Sequence, residues 1–352
     1  MTTLACWHAR ADVTNVLLAA ATLALLVACA GTPTAPREVV QPRASAGAEE
    51  RADATALGDT GPLVVFLPGL GGTSEYFRPA ADSLARSARV LLVDPLGFGA
   101  SAKPSGPYTM DRHVAALRVT LRGGPPAVLV GHSFGARLAI AYAARYPTSV
   151  RALVLYSLPY YGGPAATRAF FQSGAAPGRW VFSSEVATSL ACVLSRRLLG
   201  PLLPMLASDL PPRVVNAASS HTWRSASSTL WSTFMQYDLR GDLDALPTAL
   251  PVYLLHGASD PTAPLDSVQA LTGRHPEWRL RVLPATGHHP WWTAATAAHS
   301  ALDTLLASGF AGRATGAPDS VSFAGRVSRP CDRVRRRASG ASLCAAVGDH
   351  IL

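Results

Sequence analysis

Ala127-Val128-Leu129-Val130-Gly131-His132-Ser133-Phe134-Gly135 is the stretch on which the fold turns. Its first four residues are an apolar run that reads as a strand. The last five follow the pattern G-x-S-x-G. Behind them Arg137-Leu138-Ala139-Ile140-Ala141-Tyr142-Ala143-Ala144 reads as a helix that stops before Pro147. A serine on a sharp turn between strand and helix projects its hydroxyl out of the sheet. Bulky residues two positions either side would collide, so Gly131 and Gly135 suit the turn. The helix start behind Ser133 aims free N–H groups at charge developing on a neighbouring oxygen. That context separates the match from chance in a chain with 29 Gly. Ser133 is the candidate nucleophile, with Gly131, His132 and Gly135 as its elbow.

Working outward, short apolar runs recur at 63–67, 90–93, 152–155, 252–255 and 280–283, separated by stretches of helical pattern. Near-continuous apolar runs suit strands covered on both faces, and alternation with helices argues an α/β architecture with a mostly parallel sheet. The runs 152–155 and 252–255 are separated by a long insertion over 160–246. It carries Phe170, Phe171, Trp180, Phe182, Trp223, Trp231, Phe234 and Met235. Each of these aromatics reads singly as core packing; as a set they fit a helical cap over a pocket. The core is thus expected over 61–159 and 247–310, interrupted by the cap.

A serine hydroxyl needs a base, and in this architecture the partners follow in the order Ser, acid, His. Asp260 comes just after the run 252–255, where α/β sites collect, with a turn-forming role before Pro261 as its plain alternative. Asp242, Asp244 and Asp266 are rivals, but none follows a strand so closely. The sixth run leads into Thr286-Gly287-His288-His289-Pro290, which offers two adjacent imidazoles.

From Gly61 to Ser308 the chain resembles the α/β-hydrolase superfamily, in its cap-bearing branch of esterases, lipases and related hydrolases. Pro68-Gly69-Leu70-Gly71-Gly72 is similar to that family's oxyanion loop, which implies that the N–H groups of Leu70 and Phe134 form the oxyanion hole. Asp94 to Ser101 is similar to its D-x-x-G-x-G-x-S loop, read as structural. The family's catalytic His follows a Gly, which implies His288 rather than His289. Relatives with dehalogenase or epoxide hydrolase activity carry Asp at the elbow, so Ser133 speaks against both. The resemblance implies hydrolysis of a carboxylic ester with a small or medium apolar acyl group, using Ser133, Asp260 and His288 and neither metal nor organic cofactor. The same machinery could cleave an amide or peptide, a thioester, a lactone or a carbon–carbon bond. A non-catalytic binding module of the same fold is the other class.

The chain has 352 residues, 49% of them hydrophobic, and a net charge of +9. From residue 311 onward seven Arg face three Asp, and no basic stripe interleaved with aromatics occurs, so nucleic acid is not an expected partner. The five Cys include no C-x-x-C spacing; Cys331 and Cys344 could pair or stay as thiols. Val13 to Val27 is an apolar run suited to a signal-peptide core. It ends in Leu26-Val27-Ala28-Cys29, which resembles the bacterial lipobox. That resemblance implies cleavage after residue 28, lipidation of Cys29 and attachment to a membrane of the bacterial cell envelope. Residues 29–60 read as a flexible tether, and 311–352 as a disordered basic tail.

Overall fold

The structure, a computed structural model, describes residues 50–173, 176–199, 210–218 and 220–309. The expected leader over 1–28, Cys29, most of the tether, the tail 311–352, Cys331 and Cys344 lie outside the described residues.

Seven strands form one sheet in the order β1-β3-β2-β4-β5-β6-β7. They are β1 (Asp53–Leu57), β2 (Leu63–Leu67), β3 (Arg89–Asp94), β4 (Ala127–His132), β5 (Val150–Tyr156), β6 (Val252–Gly257) and β7 (Arg279–Leu283). All neighbours pair in parallel except β1 with β3. The mostly parallel α/β sheet expected from the runs is present, as the α/β-hydrolase resemblance also implies. Alternate side chains point to opposite faces of a strand, so each apolar run feeds two cores. Val65, Leu67, Leu129, Leu153, Leu155 and Leu254 join one core with α2 (Met110–Thr120) and α3 (Phe134–Arg145). Val64, Phe66, Val128, Val130, Val154 and Leu255 join the other, with α1 (Arg78–Leu84) and two late helices, α11 (Pro290–Thr293) and α12 (Ala295–Ala307). Burying such residues stabilises by roughly 1.5–3 kcal/mol each, which is why β2, β4 and β6 sit in the middle and the half-exposed β7 at an edge.

β1 corrects the sequence reading. Residues 53–57 were expected in the tether, yet they pair antiparallel with β3, Thr55 opposite Leu92. Asp-Ala-Thr-Ala-Leu carries no apolar run, so hydrophobic pattern could not show it. Main-chain pairing and polar staples hold it instead. Asp53 N–H donates to Ser101 Oγ at 2.6 Å, Thr120 Oγ1 donates to the Ala52 carbonyl at 2.7 Å, and Arg112 Nη2 meets Glu50 Oε1 at 2.6 Å.

The Asp94–Ser101 loop ties this edge to the loop after β2. The Asp94 carboxylate accepts from Ser74 N–H at 2.6 Å and Ala100 N–H at 2.7 Å. Gly99 has φ +51, and a Cβ there would run into that carboxylate.

Between β5 and β6 the described residues form helices: α4 (Pro164–Gln172), α5 (Ala176–Val181), α6 (Glu185–Leu199), α7 (Pro212–Ala218), α8 (Trp223–Leu230) and α9 (Arg240–Asp244). α8 runs on into a π-helical turn over Trp231–Met235. Phe171, Phe182, Trp231, Phe234 and Met235 pack into the core, whereas Trp180 and Trp223 are half-exposed. No described helix is long and apolar enough to cross a membrane.

Arg137, on α3, fastens this insertion to the core. Its guanidinium is buried and donates to the Thr233 carbonyl from Nη2 at 2.7 Å and Nε at 3.1 Å, and to the Pro159 carbonyl from Nη1 at 3.0 Å. The widened π turn leaves the Thr233 carbonyl open to a side-chain donor. Burial pulls the guanidinium down to about 10, so it stays charged at neutral pH. Arg137→Ala is expected to destabilise the fold by about 3 kcal/mol, because two buried carbonyls lose their donor and a cavity opens. Arg137→Lys should recover little, since one ammonium cannot reproduce the planar fork. Urea denaturation midpoints of the two variants against the parent chain check this; unchanged midpoints would remove Arg137 from this role.

Candidate active site

The C-terminal ends of β4, β6 and β7 converge on one point. β4 ends at His132, and Ser133 takes φ 52°, ψ −115° before α3 begins at Phe134. A non-glycine residue in that region is strained, and the two flanking glycines make it possible. A Cβ on Gly131 would stand 2.5 Å from the Gly135 carbonyl oxygen, and one on Gly135 would run into the Leu67 carbonyl. Ser133 N–H is used in the sheet, donating to the Tyr156 carbonyl at 3.0 Å.

Asp260 lies after β6, and its position is built by its own loop. Its Oδ1 accepts from Thr262 N–H and Ala263 N–H, each at 2.9 Å. His256, fully buried at the end of β6, closes the same loop by donating from Nε2 to the Ala263 carbonyl at 2.8 Å. A Cβ on Gly257 would collide with the carbonyls of Thr286 and Gly287, so this glycine lets the loop bearing His288 lie directly against β6. Ser259 N–H donates to the Thr286 carbonyl at 2.9 Å and locks the two loops.

His288 bridges the other two groups. Its Nε2 is 3.0 Å from Ser133 Oγ, and its Nδ1 is 2.8 Å from Asp260 Oδ2 and 3.0 Å from Oδ1. Serine, imidazole and carboxylate, 155 and 28 residues apart in sequence, thus form one hydrogen-bonded line. Burial pushes the Asp260 carboxyl up, but the charge and hydrogen bond of His288 and the Ala263 N–H outweigh it and leave the group at about 2. It is an anion throughout the working range. The arrangement can withdraw a proton from the serine hydroxyl and steady the imidazolium that results.

The rivals are occupied elsewhere. Asp242 accepts from Arg145 Nη1 at 2.9 Å, and Asp244 and Asp266 are exposed. His289 turns away from Ser133 and sets its Nδ1 3.4 Å from the Tyr76 hydroxyl. Burial, then the neighbouring His288, pulls its ring down to about 3, so it is neutral.

The loop Pro68–Gly72 lies beside the serine. A Cβ on Gly69 would be 3.3 Å from Ser133 Cβ and 2.9 Å from His132 Nδ1, so only glycine allows that approach. Gly72 N–H closes the turn on the Gly69 carbonyl at 2.9 Å. Phe134 N–H opens α3, and among the described residues neither it nor Leu70 N–H has a backbone acceptor. No group of three or more His, Cys, Asp or Glu among the described residues could hold a metal ion.

A protein-family profile described as alpha/beta hydrolase fold matches residues 62–295. The chain belongs to the alpha/beta hydrolase fold family. Over 105 residues it is 37% identical to the 2-(acetamidomethylene)succinate hydrolase of Mesorhizobium japonicum, covering 29% of this chain and 37% of that protein. Over 107 residues it is 38% identical to the proline iminopeptidase of Saccharolobus solfataricus, covering 28% of this chain and 34% of that protein. The matches therefore span little more than a third of these two relatives. A solved esterase from Exiguobacterium antarcticum superposes with a TM-score of 0.60 at 18% identity, over 73% of this chain and 96% of that one, a likeness of fold.

Three residues escape sequence reasoning: Arg137, which fastens the insertion, and Tyr76 and His256, which flank the candidate site. The last stands four residues before Asp260 at a strand end, the one local signal available. Tyr76 and Arg137 act only through contacts with distant segments.

Proposed function

We propose that this hydrolase is a serine enzyme that cleaves carboxylic esters of small to medium apolar acids. One observation carries the reading, the unbroken line from Ser133 Oγ through His288 to the Asp260 carboxylate, with links of 3.0 and 2.8 Å. Ser133 Oγ attacks the ester carbonyl while His288 Nε2 takes its proton. The N–H groups of Leu70 and Phe134 receive the oxyanion. Collapse of the intermediate expels the alcohol, which takes the proton from His288. Water, deprotonated by the same imidazole, then releases the acid and restores the serine. Asp260 keeps Nδ1 protonated, so that Nε2 is the basic nitrogen.

A second reading, cleavage of an amide or peptide bond, draws on the two relatives, one acting on a substrate with an acetamido group and the other a peptidase by name. The test is labelling of the full chain with a fluorophosphonate, the modified residue found by mass spectrometry. Turnover of p-nitrophenyl esters from acetate to octanoate and of proline p-nitroanilide is measured alongside. Labelling at Ser133 with ester turnover is expected. Labelling with anilide turnover alone would shift the reading to amides, and no labelling would sink it.

The same proposal extends to place. The Cys29 motif supports a lipid-anchored protein of the bacterial cell envelope. Alkyne-palmitate incorporation in bacterial cells, lost in Cys29→Ser, is expected; absence of label in the parent chain would overturn the anchor.

A further inference from the structure

The elbow residue His132 is not needed for proton transfer, yet it is built into the site more tightly than a spacer requires. It is 2% exposed, with its ring stacked on Tyr76 at 4.6 Å between centroids and 18° between planes. The rings of His288 and His289 flank it at 5.0 and 5.2 Å. Its Nε2 lies 2.8 Å from the main-chain carbonyl oxygen of His288. A carbonyl only accepts, so Nε2 carries the proton and Nδ1 is bare. That Nδ1 is buried against Gly69 with no hydrogen-bond partner. An imidazolium here would bury a second proton with nothing to receive it. Burial, then the neighbouring His288 and His289, accordingly keep the ring well below the usual imidazole range.

The His288 carbonyl has no other donor among the described residues. The loop that carries His288 is fixed to the β6 side through Thr286 and Gly257, and at its far end through the start of α11. Its middle, where His288 sits, has one main-chain tie toward the strand that ends at the nucleophile, and that tie is the side chain next to Ser133.

We propose that His132 is a positioning residue: its neutral Nε2–H holds the His288 main chain and so sets the imidazole at bonding distance from both Ser133 and Asp260. The inference rests on the serine-hydrolase reading for its effect on rate, while the latch itself is a statement of geometry. Nucleophile and base are 155 residues apart, and this contact makes their separation depend on one rigid ring instead of on two loops. A base displaced by about 1 Å can lose on the order of 10²-fold in rate. Tyr76, stacked on one face of the ring, fixes the plane in which its Nε2–H points.

The experiment compares His132→Leu and His132→Gln with the parent chain. Leu fills the space and cannot donate; the Gln amide can reach the same carbonyl. Three quantities are read: the second-order rate of fluorophosphonate labelling, kcat and KM on the best ester, and the downfield proton resonance of the His288 Nδ1–H bonded to Asp260. Leu is expected to slow labelling and kcat about tenfold or more with KM little changed, and to shift or broaden the resonance. Gln is expected to restore most of both. Should the Leu chain not fold, His132→Asn, too short to reach the carbonyl, makes the same comparison. Equal labelling and an unmoved resonance in Leu and Gln would overturn the proposal. If the parent chain is not labelled at all, the serine-hydrolase reading fails instead. The resonance then still decides whether the latch exists.

Discussion

Ser133→Ala is expected to reduce kcat on the preferred ester by about 10⁴-fold or more, with little change in folding. In the proposed mechanism the hydroxyl oxygen forms the acyl bond, and among the described residues it is the hydroxyl bonded to His288 Nε2. Its removal leaves the rest of the site intact. Ser133 keeps its φ of 52° as alanine, because the strain is imposed by Gly131, Gly135 and the sheet pairing of β4 with β5. Ser133 N–H still donates to the Tyr156 carbonyl. The thermal midpoint should stay within a few degrees of the parent, so a lost rate cannot be traced to lost fold. Fluorophosphonate labelling must vanish in the same variant. Retention of more than about one per cent of the rate, or of the label, would mean that another group is the nucleophile.

Asp260→Asn should be nearly as severe, about 10³- to 10⁴-fold in kcat, for a different reason. The carboxylate accepts from Thr262 N–H, Ala263 N–H and His288 Nδ1 together. An amide offers one oxygen. If that oxygen serves the two N–H groups, its NH₂ faces His288 and forces the proton onto Nε2, which then cannot take the proton of Ser133. If it serves His288 instead, the NH₂ clashes with two backbone donors. The variant also reports on stability. Asp260 sits at about 2 in the folded chain, below the ordinary carboxylate value. A depressed carboxylate contributes stability that is present above the unfolded value, near 4, and is lost as pH falls through about 2. Its side chain is fully buried, so the contribution is of order 2 kcal/mol at neutral pH. The thermal midpoint of the parent chain should therefore exceed that of Asp260→Asn at pH 6, with the gap narrowing between pH 4 and pH 2. A gap that is flat in pH would mean that the carboxylate is not held by these partners.

Much of this site is legible before any coordinates. The run Ala127–Val130, the two glycines around Ser133 and the helix behind them are all local. Strand, turn and helix are each decided by residues within a few positions of one another. The sheet is legible for the same reason. Val64/Phe66 and Val65/Leu67 alternate because each buried strand must satisfy two cores, and that alternation is written in five consecutive residues. The acid is readable as Asp260, the Asp that follows a strand most closely, whereas the residues by themselves narrow the base only to two adjacent His.

The sequence by itself thus determined the architecture, the elbow and the order of its partners, because backbone strain and apolar periodicity act over a few residues. Tertiary structure alone decided the rest. Adjacent side chains in an extended loop point in opposite directions, so which of His288 and His289 meets Ser133 depends on the Ser259–Thr286 lock and on Gly257 letting that loop approach. Asp260 is held in place by backbone donors of its own loop. β1 was hidden because main-chain pairing at a sheet edge needs no apolar pattern. Arg137 and His132 bond to carbonyls 96 and 156 residues away. A carbonyl is the same group in every residue, so no side-chain pattern marks the one that folding will bring within reach.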